Sequence, residues 1–163
     1  MKRLFSALVA LVLSASAHAV LIDWNASLDG LQEVPPNGSP ATGFGFGTYD
    51  TVTNALTWDI TWAGLVAPAT AAHFHLAPPG VAGPVIVPIL GVAGLTAGHV
   101  VGAGALLDGL QEASFLAGNF YVNIHSPIFP GGEIRGQVNV PEPGALALLG
   151  LGLAGLGWAR RKS

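Results

Sequence analysis

The chain contains five histidines, and three of them stand in patterns that could do chemistry. His73 and His75 are two residues apart in Ala71-Ala72-His73-Phe74-His75-Leu76, and His125 closes Phe120-Tyr121-Val122-Asn123-Ile124-His125. As strands, both segments alternate: His73 and His75 share a face opposite Phe74 and Leu76, and Tyr121, Asn123 and His125 share a face opposite Val122 and Ile124. If the apolar sets point inward, all three His point outward, and if the strands are neighbours their imidazoles converge. Imidazole suits copper and zinc, and Glu133 or a water could complete four ligands. A second reading needs no metal: the same His pack beside Tyr121 and Asn123 and bond to loop carbonyls near Pro130-Gly131-Gly132. The chain has no cysteine, which excludes thiolate sites, thiol nucleophiles and disulfides.

The other reactive residues read as structural. Glu133 and Arg135 are two apart and form a candidate structural ion pair, with Arg135 also facing Glu33. As a catalytic pair they lack a nucleophile or a second carboxylate at defined distance, so no catalytic residue is assigned. Trp58 and Trp62 fall on one face of a strand, with Trp24 a third aromatic; core is the expected role, a sugar-stacking platform the alternative. His99 stands in no motif and reads as a surface residue.

The elements that must position these groups are short, β-branched or aromatic, and broken by Gly and Pro. Strands are expected near Leu21–Leu28, Thr42–Asp50, Ala55–Ala63, Ala71–Leu76, Val85–Leu90, Val100–Leu107, Phe120–His125 and Glu133–Val140. One helix starts at Asp108, capped with the help of Gln111 or Glu112, and stops at Gly118-Asn119. The fold class is all-β: an antiparallel Greek-key sandwich or barrel of about eight strands with one short helix. The hexapeptide Leu-Asp-Gly-Leu-Gln-Glu occurs at 28–33 and 107–112. The flanks diverge at once, so the two copies are expected in different structures and not as a repeat.

Hydrophobic residues make up 51% of the chain, enough to order it despite 23 glycines and 12 prolines. Between Val20 and Val140 the only base is Arg135, against eight Asp and Glu, a net charge of −7. Such a field repels phosphate backbones and excludes nucleic acid as a partner. Residues 1–19 read as a signal peptide: Lys2 and Arg3, an apolar run from Leu4 to Leu13, and Ala17-His18-Ala19 for cleavage. Residues 20–140 form the β domain. Residues 141–163 form a tail: Pro141-Glu142-Pro143, an apolar helix from Gly144 to Ala159 that rises about 24 Å, then Arg160-Arg161-Lys162. The terminal basic cluster would stay cytoplasmic and leave the domain outside.

Pro-Glu-Pro, a short apolar helix and a basic end together resemble the PEP-CTERM sorting signal of Gram-negative bacteria. That resemblance implies an exosortase-type processing enzyme as partner, transient anchoring in the inner membrane, and cleavage near Pro141-Glu142-Pro143. Four segments resemble the CHRD (chordin-type) domain in order: Leu28 to Pro36 with Ala41-Thr42-Gly43; Ala71 to His75 with Gly83-Pro84-Val85; Gly118 to Ser126; and Gly131 to Gln137. The family implies a β-sandwich-type fold and extracellular location, and no established catalytic activity. The loop Leu76 to Gly80 departs from the shorter turn of many members. Cu/Zn superoxide dismutases also carry a His-x-His strand on a Greek-key barrel, a similarity three residues long.

Two functions are open: an exported, non-enzymatic surface or matrix module that binds protein or polysaccharide, or an extracytoplasmic copper- or zinc-binding domain, with or without redox activity, built on His73, His75 and His125. For either, the mature protein is expected to lack both ends. Intact-mass measurement on protein from the native host checks this: a main species still carrying Met1 or Ser163 contradicts the corresponding cut.

Overall fold

The computed structural model describes residues 20–141. The signal peptide, Glu142, Pro143, the apolar tail helix, Arg160 and Arg161 lie outside the described residues.

Eight strands are present: β1 (Leu21–Asp29), β2 (Thr42–Asp50), β3 (Ala55–Ala63), β4 (Ala71–Leu76), β5 (Val85–Ile89), β6 (Gly98–Leu106), β7 (Phe120–His125) and β8 (Ile134–Gln137). They pair antiparallel throughout in one sheet of order β5-β4-β7-β8-β1-β2-β3-β6, curled into a nearly closed barrel. The all-β, antiparallel expectation therefore holds, with a barrel rather than two facing sheets. The β3–β4, β5–β6 and β6–β7 connections cross from one side of this order to the other, and helix α1 (Gly109–Leu116) occupies the last crossing. Asp108 caps α1 by accepting from the Leu110 and Gln111 N–H groups, and the Gln111 side chain returns a bond to the Asp108 N–H.

Four strands differ from the sequence pattern: β1 runs one residue further, β5 stops one residue earlier, and β6 and β8 differ at both ends. Strand β8 is shorter than Glu133–Val140, because the Gln32 side chain takes the Gln137 N–H and Asn139 bridges separately to Asn25. Strand β6 begins at Gly98, opposite Trp62.

The barrel interior is filled by inward-alternating residues. Trp24, Phe74, Ile60, Val122, Ile124 and Ile134 are all at most 1% exposed. Phe74 sets its edge against both Trp24 and Trp58, with centroids 5.4 Å and 5.6 Å away. Trp58 and Trp62 are thus core, as the strand spacing indicated. The indoles fit because glycine stands directly across the ladder, Gly102 opposite Trp58 and Gly98 opposite Trp62. A Cβ on Gly102 would fall on the Trp58 ring.

Candidate metal centre

Strands β4 and β7 are adjacent, in the register Ala71↔His125, His73↔Asn123 and His75↔Tyr121. Phe74, Val122 and Ile124 bury in the barrel, which sends His73, His75 and His125 to the same outer face. That face is not open to solvent everywhere. The β4–β5 loop and the β7–β8 loop fold over it, and His75 is only 8% exposed.

The three imidazoles converge. His73 Nδ1 lies 3.1 Å from His125 Nε2, and one ring nitrogen from each of the three lies within 4.8 Å of the others. Ring centroids are 5.1 Å apart for His73–His125, 5.5 Å for His73–His75 and 5.7 Å for His75–His125. The loop carbonyls set the tautomers. His75 Nδ1 is 2.9 Å from Gly83 O, and His125 Nδ1 is 3.1 Å from Pro130 O. A carbonyl only accepts, so each Nδ1 carries the proton and each Nε2 keeps its lone pair. His75 Nε2 is buried without a hydrogen-bond partner in the protein.

Burial holds all three rings in the neutral form, pushing His73 and His75 below the usual histidine range and His125 down to about 4. The mutual proximity of the three rings adds to this at His75 and His125, while their carbonyl bonds oppose it. Two neutral imidazoles with carbonyl-fixed tautomers and bare Nε2 atoms, beside a third whose Nδ1–H donates to His125 Nε2 and can give up that contact, suit a transition-metal ion such as copper or zinc. The two readings of these residues are therefore compatible: the loop-carbonyl bonds are what aim the free nitrogens.

The CHRD domain model matches residues 24–138. The chain belongs to the CHRD family. The PEP-CTERM protein-sorting motif matches residues 139–162, so the CHRD domain is exported, transiently membrane-anchored and handled by an exosortase-type system in a Gram-negative bacterium. No curated protein and no solved structure matches the chain.

Glu133 and Arg135 do not form the expected ion pair in this CHRD domain. Among the described residues the only salt bridge joins His99 to Asp59 at 2.8 Å, which also gives His99 a partner that the sequence did not indicate. Glu133 precedes β8, so strand alternation does not carry its side chain to the Arg135 side. It turns instead to Ser39 Oγ at 2.8 Å and the Val66 N–H at 2.6 Å. Glu133 is likewise absent from the imidazole cluster and does not complete it.

Arg135 serves the site in another way. Its guanidinium lies 3.5 Å over the Tyr121 ring, and Tyr121 stacks on His75 at 4.9 Å and 14°. Arg135 also donates to Val81 O, Pro78 O and Gln137 Oε1, which ties the β4–β5 loop down. The Tyr121 hydroxyl accepts from the Gly83 N–H at 3.0 Å, next to the carbonyl that His75 uses. The strand alternation placed Tyr121 beside the histidines, as found, but gave no sign of Gly83, whose position depends on the β4–β5 loop path.

Nearby, Glu33 is buried with one oxygen toward the Asn123 amide, 3.4 Å away. Burial pushes its carboxyl up to about 7, against smaller opposing effects of Asn123 and the Arg135 charge. Removing the guanidinium strands three acceptors and loses the stack on Tyr121. Arg135→Ala should cost about 3 kcal/mol, read by urea denaturation. Arg135→Lys should recover little of that, because an ammonium cannot fork to two carbonyls while lying flat on a ring. An unchanged midpoint in Arg135→Ala would contradict this role.

Proposed function

We propose that this protein is an exported binding module of the Gram-negative cell surface or matrix, whose barrel carries a copper ion on His73, His75 and His125. The observation that carries the reading is the buried, unpartnered Nε2 of His75, within reach of ring nitrogens from two other neutral imidazoles. A buried nitrogen lone pair without a donor is costly, and a bound cation satisfies it. Copper is favoured over zinc because an all-nitrogen site follows the general affinity order of divalent ions. The −7 charge of the domain raises the local cation concentration.

Within this reading each residue has a defined task. His75 and His125 offer Nε2, fixed by the Gly83 and Pro130 carbonyls. His73 offers a ring nitrogen after giving up its contact with His125. Tyr121 and Arg135 orient His75. The domain meets polysaccharide or matrix protein outside the cell, and the metal adds stability or redox chemistry there.

Titration of metal-free protein with Cu(II) and Zn(II) tests the proposal. One equivalent of Cu(II) should bind, more tightly than Zn(II), and His75→Ala should weaken binding by about two orders of magnitude or more, as loss of a ligand does. Protons compete only for imidazoles that can hold them. Because all three lie below the ordinary value of about 6.5, affinity should stay flat down through that pH and fall only in more acid solution, as His125 protonates toward about 4. Equal affinity of wild type and His75→Ala would overturn the site.

A further inference from the structure

A second surface of the barrel lies away from the histidines, on the outer face of β1, β2, β3 and β6. Strand β2 reads Gly43-Phe44-Gly45-Phe46-Gly47, and the alternation turns the glycines inward and both phenylalanines out. Phe44 and Phe46 remain 46% and 49% exposed, with centroids 6.2 Å apart and rings tilted 34°. The ladder register borders them mostly with polar groups, with Val101 the apolar exception. Ser27, Phe44, Thr61 and His99 form one row across the sheet, and Asn25, Phe46, Asp59 and Val101 the next. A groove of about 530 Å³ runs beside Phe46, and a second of about 310 Å³ lies beside Phe44.

From this face we infer a binding site for an uncharged polysaccharide chain. Two adjacent aromatic rings held half-exposed on a rigid strand form an apolar patch that folding alone does not require. Sugar rings present C–H faces that stack on aromatics and hydroxyl edges that exchange hydrogen bonds, and here carboxylate, hydroxyl and imidazole groups border the rings. The face carries no Lys or Arg, its one imidazole, His99, is held by Asp59, and the domain's single arginine, Arg135, is buried. A polyanionic chain or an anionic membrane would therefore be repelled. A second copy on this face would bring the Asp23 and Asp59 carboxylates of both copies into one interface with no Lys or Arg to offset them. A neutral glycan meets none of these penalties. The inference rests on the exported binding module and is independent of the metal.

Affinity electrophoresis of the full chain tests it, in gels containing cellulose derivative, xylan, mannan or dextran as neutral probes and alginate as the anionic one. At least one neutral polysaccharide should retard the wild type, and alginate should not. The Phe44→Ala/Phe46→Ala variant should bind about tenfold more weakly or worse, with Cu(II) binding unchanged. Thr61→Lys, which crowds the face without touching the core, should weaken binding similarly and guards against misfolding of the double variant. No retardation by any neutral probe, preference for alginate, or equal retardation of wild type and Thr61→Lys would overturn the inference. A wild type that binds no glycan but titrates normally with Cu(II) refutes this face alone, and a wild type that binds glycan but not Cu(II) refutes the metal centre alone.

Discussion

Six consecutive residue pairs join β4 to β7, and their register decides almost everything else about the site. It places Phe74 beside Val122 inside the barrel and His75 beside Tyr121 outside it. A slip of one residue would move the imidazoles into the core and the aromatics into solvent, an arrangement the hydrophobic interior forbids. The pairing is therefore held by Phe74 wedged between Trp24 and Trp58, and those indoles in turn need the glycine opposite Trp58. Core packing on one face of the sheet thus fixes the chemistry on the other.

The outer layer adds what the strands cannot. Strand geometry brings imidazoles near one another but leaves each ring free to turn. Gly83 and Pro130, on two separate loops, each accept a proton-bearing nitrogen and so direct the opposite nitrogen inward. Arg135 anchors the first loop and presses Tyr121 onto His75. The acidic and basic sides of the cluster respond to pH in opposite senses. Neutral His125, depressed to about 4, contributes stability that is present above its unfolded pKa and lost as pH falls toward 4. Glu33, raised to about 7, contributes stability that is present below its unfolded pKa and lost as pH rises through 7. The two partly offset each other in the window between.

Much of this was legible in residue spacing. The i,i+2 histidines, the alternation around His125 and the capping residues at Asp108 each follow from a single element's period. Six strand starts, among them Thr42, Ala55 and Ala71, could be read to the residue from short β-branched or aromatic runs broken by Gly and Pro. What could not be read depends on loops. The expected Glu133–Arg135 pair assumed strand geometry one residue beyond where β8 starts, and the roof over the histidines needs loop paths that no periodicity encodes. The repeated hexapeptide was half legible. Both copies do the same local work, Asp29 and Asp108 each capping a helical turn through two backbone N–H groups. Pro35 and Pro36 stop the first after one turn, while Ala113-Ser114-Phe115 lets the second continue as α1.

The central claim is that the fold, before any metal arrives, fixes His75 and His125 as neutral Nδ1–H tautomers with their Nε2 lone pairs converging. Side-chain ¹⁵N NMR of the metal-free protein near neutral pH reads this directly, since protonated and bare ring nitrogens differ in shift and proton coupling. The account predicts a proton on Nδ1 and none on Nε2 for both residues. Nε2–H tautomers, or doubly protonated rings at that pH, would contradict it.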